Sequence, residues 1–419
     1  MTDTDSKPPA GARAAALTFI FVTVMLDVLA LGVIVPVLPP LLIQLEGGDA
    51  AKAAVTYGWF VSAWNGMQFG FAPILGSLSD RFGRRPIVLL SNLGLGLDYV
   101  VMALAQTVPL LFVGRLVSGI TSATFSVAGA YISDVTPPEK RARGFGMIGA
   151  AFGVGFIVGP ALGGILGEVH PRLPFWVAAV LSLANATYGF FVLPESLPKD
   201  KRAPFSWRSL NPFLSLIILG ATPRLLRISG ATFLANIAQF VYQTTFVLYM
   251  ANRYQASPLA VGIALAFVGI FSAVVQGLLV QKVVDRLGER RTLVYGMVCG
   301  IVGLAAFGAA PTLFLFSLVM PIDALWGLAN PAAQSLMTKE IGPERQGELQ
   351  GALSSSMALA GIFSPTLFTR VYAWGLRDGH AVGSPFFLAS ALLAGSCVMM
   401  ALATRGSASR DPGPRTDPT

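Results

Sequence analysis

Four ionisable side chains stand inside stretches that are otherwise apolar: Asp27, Asp98, Arg115 and Asp323. A charge at membrane depth costs free energy and turns toward a cavity or a partner, so each is a candidate for function. Asp27 has no basic residue beside it in Leu26-Asp27-Val28-Leu29. A carboxyl group that is costly to ionise is what proton carriage requires. Its structural alternative is to neutralise an arginine on a neighbouring helix. Asp98 and Arg115 allow pairing with each other or with Asp27. An arginine stays charged, so it either holds nearby carboxylates ionised or attracts one that exchanges protons. Asp323 is the acid well inside the second half of the chain. The uncharged polar groups Asn65, Gln68, Asn236, Gln239, Gln243 and Asn330 suit the lining of a substrate cavity, or single hydrogen bonds between helices.

Other chemistry has little to build on. The chain shows no nucleotide-binding loop and no metal-ligand spacing. His170 and His380 fall in connections, and Cys299 and Cys397 sit in apolar runs as small apolar side chains. Neither an enzyme nor a resident cofactor or metal is expected. A net charge of +8 is scattered over short connections rather than gathered into a patch, so no nucleic-acid partner is expected.

The elements that must position these groups are membrane helices. The 419 residues are 54% hydrophobic and 12% charged, against about a quarter charged in soluble domains. Apolar runs of spanning length fall at 15–40, 54–78, 86–105, 109–133, 144–166 and 173–193, then at 228–250, 258–280, 292–310, 313–337, 349–372 and 385–404. This predicts an all-α membrane protein of twelve spans in two six-helix halves. The division is a tail at 1–14, a first half at 15–194, a linker at 195–227, a second half at 228–404 and a tail at 405–419. Within the linker, 210–220 is apolar but too short to span, and suits either the membrane interface or a plain tether.

The halves repeat. The phrase 76–86, Gly-Ser-Leu-Ser-Asp-Arg-Phe-Gly-Arg-Arg-Pro, returns as 284–291, Val-Asp-Arg-Leu-Gly-Glu-Arg-Arg, with Asp80 and Asp285 lying 205 positions apart. Pro138-Glu139 and Pro343-Glu344 share that offset, as do Pro160 and Pro365. Paired halves of membrane spans mark a secondary transporter whose substrate site lies at mid-membrane depth. The even-numbered connections hold most of the Lys and Arg, including Arg81, Arg84, Arg85, Lys282, Arg286, Arg290 and Arg291, which predicts cytoplasmic termini and a cytoplasmic linker. In the first repeat, Gly76, Asp80, Arg81, Gly83, Arg84 and Arg85 predict a tight charged turn. Asp80 would accept from the start of the next helix, and the arginines would bridge to acids such as Asp134, latching a gate. Asp285 and Arg286 are the second-half counterparts. The fifth span carries Gly149, Gly153, Gly155, Gly159, Pro160, Gly163 and Gly164. That spacing clears a helix face for close packing, and the proline bends the helix.

These residues carry a resemblance. The stretches 76–86, 114–119 and 149–164 resemble the loop, fourth-helix and antiporter motifs of the major facilitator superfamily. More narrowly, 26–39, 91–99, 114–123 and 346–372 resemble the bacterial tetracycline-efflux branch. The resemblance implies drug/proton antiport across the bacterial inner membrane by a monomer, driven by the proton gradient. The partners it implies are a small amphipathic substrate, protons and lipid. It brings Asp27, Asp98 and Arg115 forward as coupling or cavity residues, Gln68 as a group near the substrate path, and Asp80, Arg84 and Arg85 as gate residues. One departure stands out: the enterobacterial pumps carry an acid in the ninth span, whereas 292–310 has none and Asp323 lies one helix on. Tetracycline travels with a divalent cation, so that missing charge bears on the substrate. The alternatives are a proton-coupled uptake symporter for a sugar or organic acid, against which the fifth-span motif argues, and a non-transporting membrane sensor.

Overall fold

A computed structural model describes residues 10–122, 124–136, 141–202, 211, 213–341, 345–377 and 382–404. Among these residues the secondary structure is helical, without strands. The helices are α1 (Ala10–Ile34), α2 (Leu38–Leu45), α3 (Ala50–Phe82), α4 (Arg84–Leu104), α5 (Val108–Thr121), α6 (Thr124–Val135), α7 (Arg141–Val169), α8 (Leu173–Val192), α9 (Pro223–Arg253), α10 (Pro258–Val274), α11 (Val280–Ala309), α12 (Leu313–Ala324), α13 (Ala329–Thr338), α14 (Gln346–Arg377) and α15 (Ser384–Ala403). Among the described residues, eight helical stretches are long and apolar enough to cross a membrane, and α5 is a shorter apolar helix.

Local chemistry starts and stops these helices. The Asp49 side chain accepts from the Lys52 backbone N–H at 2.8 Å and caps α3. Proline opens the first turn of α5, α8 and α15, where its missing N–H costs nothing. Four runs expected to be continuous are broken, the eighth by a π-helical turn over Val275–Leu279. Pro36 interrupts the first run between α1 and α2. Between α5 and α6, Thr121 and Ser122 bond back to the carbonyls of Val117 and Ser118, a competition that bends helices. The tenth run passes through a 3-10 turn, Leu325–Leu328, just after Asp323. The linker segment expected at 210–220 is a 3-10 helix over Leu214–Gly220, while 210 and 212 lie outside the described residues. Also outside them are Pro138-Glu139, Pro343-Glu344, His380 and the tail at 405–419.

The expected turn at 76–86 is almost wholly helical. α3 runs on to Phe82 and α4 starts at Arg84, so the reversal falls on Gly83, whose φ of 108° suits glycine alone. At the same offset of 205, Gly288 has a φ of 76° and kinks α11 between the eighth and ninth spans. The repeat is therefore visible in backbone geometry as well as in sequence.

The chain packs as two compact units. The first comprises Met1–Pro212, Tyr242–Ile270 and Gly361–Val382; the second comprises Phe213–Val241, Phe271–Ala360 and Gly383–Thr419. In the first unit α1 lies along α7. A Cβ on Gly155 would come within 2.8 Å of Val28 Cβ, and one on Gly159 within 2.8 Å of Gly32 Cα. A Cβ on Gly163 would collide with the Val33 carbonyl. These glycines recur every fourth residue and let two backbones touch. Gly164 instead faces the start of α10, at Pro258 and Gly262. Gly149 and Gly153 have open space where a side chain would stand. The expectation of one cleared face therefore holds for three of the six glycines.

Candidate functional site

In the first unit α1, α4, α6 and α8 bring four polar side chains to one buried point. Asp27 is 4% exposed. Asn185 Nδ2 donates to its Oδ1 at 3.0 Å and to the Thr23 carbonyl at 3.1 Å. With its amide nitrogen facing Asp27, Asn92 donates to the two carboxylate oxygens at 3.2 and 3.0 Å and to Thr124 Oγ1 at 3.2 Å. Neutral amides, rather than the arginine of the structural alternative, therefore satisfy this carboxyl group. That arrangement suits a proton site: the ionised form accepts from both amides, and the protonated form can donate to an amide oxygen once Asn92 turns over. Asn92 and Asn185 were missed in the sequence. The signal was the one that exposed Asp27, a polar group within an apolar run.

A second point lies where α4 meets α5. Asp98 is 1% and Arg115 is 7% exposed. Their charges lie close enough to act on each other, yet they form no ion pair within 4.0 Å, and both Asp98 oxygens lack a well-formed hydrogen bond. Arg115 points instead toward the Met102 sulfur at 3.5 Å. Asp98 packs on Gly114, where any side chain would strike its carboxylate.

In the second unit Asp323 of α12 is 9% exposed and packs on Gly303 of α11, where a Cβ would lie 2.7 Å from Asp323 Cβ and 2.8 Å from its Oδ1. The offset of 205 carries Asp98 onto Gly303 and Ser118 onto Asp323. The second half thus has its acid on the helix facing the one that bears Asp98 in the first half. The ninth span lacks an acid of its own, but an acid from the tenth lies against it.

Residues expected to form a gate gather around Arg84, which is 8% exposed. It pairs with Asp80 one turn back and with Asp134 of α6 at 3.1 Å, and donates to Ser79 Oγ at 2.7 Å. Ser196 also donates to Asp134, at 3.0 Å. Asp80 accepts at the start of the next helix, from the Arg84 side chain rather than by capping a backbone N–H. Glu195, just beyond α8, takes that role by accepting from the Arg84 backbone N–H at 2.8 Å, because Asp80 is occupied by the Arg84 guanidinium. Arg81 lies 5.3 Å over the Phe82 ring, Arg85 donates to the Phe190 carbonyl, and neither bridges to an acid among the described residues. Asp285 and Arg286 are exposed and form no ion pair among the described residues. The second unit uses other positions: Lys339 Nζ pairs with Glu289 at 2.7 Å, and Ser335 also donates to Glu289. Glu289 and Lys339 stand 205 positions beyond Arg84 and Asp134. The same two positions form an ion pair in each half, with the charges exchanged.

The uncharged set divides. Asn65 is buried and bonds back to the Val61 carbonyl at 2.8 Å, a bond within its own helix that withdraws it from the expected lining. Gln68 is partly exposed one turn on. Asn236, Gln239 and Gln243 form a polar stripe on one face of α9, at spacings of three and four. Asn330 is exposed at the start of α13.

The Major Facilitator Superfamily model matches residues 20–365. The chain belongs to that superfamily. Among its members, the chain is 37% identical over 358 residues to the class C tetracycline resistance protein of Escherichia coli, covering 85% of this chain and 90% of that protein. It is 36% identical to the class G tetracycline resistance protein of Vibrio anguillarum, covering 86% and 91%. The crystal structure of the human organic anion transporter superposes with a TM-score of 0.70 at 24% identity, covering 94% of this chain and all of that one. Membership of this superfamily makes the chain a multi-pass membrane transporter of small molecules with the all-helical major facilitator fold.

Proposed function

We propose that the protein is a bacterial inner-membrane antiporter that exports a tetracycline-like amphipathic drug in exchange for protons. The observation that carries this reading is the likeness to tetracycline resistance proteins over nine-tenths of their length. The buried carboxyl groups supply the chemistry: Asp27 in its amide cage, Asp98 beside Arg115, and Asp323 against Gly303 take and release protons as substrate leaves and enters. Gln68, Asn236, Gln239, Gln243 and Asn330 line the substrate path. Two six-helix halves rock about that path, and the Arg84 cluster latches the cytoplasmic side. Both termini are cytoplasmic, by the excess of Lys and Arg in the even-numbered connections. The proton gradient supplies the energy without a resident cofactor, a divalent cation travels with the drug, and the monomer is the working unit.

The test uses full-length protein in liposomes with a pH-sensitive dye and an imposed proton gradient. Tetracycline with magnesium is expected to trigger proton movement in the wild type and none in Asp27→Asn. Equal proton movement in the variant would remove Asp27 from coupling. Silence of the wild type toward tetracycline and a drug panel would overturn the export reading and favour uptake of a metabolite.

A further inference from the structure

Arg370 has no part in the transport chemistry described above, and its surroundings are unusual for an arginine. It lies on α14 seven residues before the helix ends at Arg377, about 10 Å along the axis, which places it near the boundary between hydrocarbon and headgroups. It is exposed and forms no ion pair with a carboxylate among the described residues. Its guanidinium carbon stands 5.8 Å over the ring of Trp59 on α3. Between α3 and α14 runs a groove of about 560 Å³ whose walls include Trp59, Phe363, Leu367, Arg370 and Trp374. These walls are open to the surroundings, with Phe363 63%, Trp59 50% and Trp374 49% exposed. The groove floor is tied by the hydrogen bond between Ser62 and Thr366 at 2.9 Å.

We infer that this groove is a binding site for one anionic phospholipid, in the leaflet opposite the Gly83 turn. A lone cation at this depth facing lipid is costly unless a counter-charge meets it. Charge complementarity selects the occupant. The Arg370 guanidinium stands 5.8 Å over the Trp59 ring and bridges to no carboxylate among the described residues, and a guanidinium fork grips a phosphate through two hydrogen bonds. Below the phosphate, Phe363 and Leu367 offer an apolar track toward the bilayer centre for an acyl chain. Tryptophans at the rim match the interfacial belt that sits at headgroup level. A zwitterionic lipid fits less well, because its own cation competes with Arg370 for the phosphate.

The experiment is native mass spectrometry of the delipidated full-length protein titrated separately with phosphatidylglycerol and phosphatidylethanolamine. Expected is a phosphatidylglycerol adduct retained at least fivefold better than the phosphatidylethanolamine adduct. Arg370→Gln should lose that preference, while Arg253→Gln, a basic residue at the end of α9, should keep it. A folding check comes from Arg370→Lys, which keeps the charge without the fork and is expected to fall between the two. As a direct readout of place, brominated phosphatidylglycerol should quench tryptophan emission, and the double variant Trp59→Phe/Trp374→Phe should remove most of the quenched part. Equal retention of the two lipids, an unchanged preference in Arg370→Gln, or complete displacement of the lipid by millimolar inorganic phosphate would overturn the proposal. The last result would mean a small-anion site instead.

Discussion

Asp27 shows how a membrane protein keeps an ionisable group without a counter-ion. Two asparagines from separate helices supply the donors, so the charge state of the carboxyl group can change while its surroundings stay neutral. Asn185→Ala is expected to lower stability by about 1–3 kcal/mol, because it leaves a buried carboxylate short of a partner. The loss should shrink in an Asp27→Asn background, where no charge needs satisfying. Thermal denaturation of the two single variants and the double variant checks this, and strictly additive losses would refute the cage. Asp27 itself could be found in the sequence because one acid in an apolar run is conspicuous. The cage could not be, since choosing which of many asparagines face it requires knowing how α1, α4 and α8 pack.

At the scale of elements, the fifth-span glycines had a legible spacing but not a legible allocation. A run of seven small or bending residues predicts close packing, yet only the backbone contacts assign Gly155, Gly159 and Gly163 to α1 and leave Gly149 and Gly153 beside open space. Gly159→Val should therefore destabilise the protein by about 1–3 kcal/mol through overpacking, and Gly153→Val by far less. The yield and melting temperature of the purified variants distinguish the two. The α11–α12 contact makes a sharper case. If the place of the second-half carboxyl group matters more than the helix that bears it, Asp323→Ser abolishes transport and Gly303→Asp in that background restores a substantial part. A Cβ at 303 meets the Cβ and Cα of residue 323 at 2.7 and 2.8 Å whichever side chain stands there, so the melting temperature must first show that the double variant folds as Asp323→Ser does. A double variant as inactive as Asp323→Ser would limit the role to α12.

For the whole molecule, twelve spans and an internal repeat were legible because apolar length and a fixed offset leave a direct trace in sequence. The four broken runs were not, since hydropathy is blind to Pro36, to hydroxyl back-bonding at Thr121 and Ser122, to the π-helical turn at Val275–Leu279 and to the 3-10 turn after Asp323. The gate cluster held another surprise. Arg84→Ala leaves Asp134, whose side chain is 19% exposed, with Ser196 as a remaining donor and should cost about 1–3 kcal/mol, measurable as a lower melting temperature and faster hydrogen exchange at the Gly83 end of the bundle. The exchanged charges at 84 and 134 against 289 and 339 have a consequence for how this gene tolerates change. A saturation-mutagenesis map folded at a period of 205 should superpose its two halves at Gly83 and Gly288, where almost nothing but glycine survives. At the ion-pair positions the same folded map should read as a photographic negative, each half accepting the sign of charge that the other rejects.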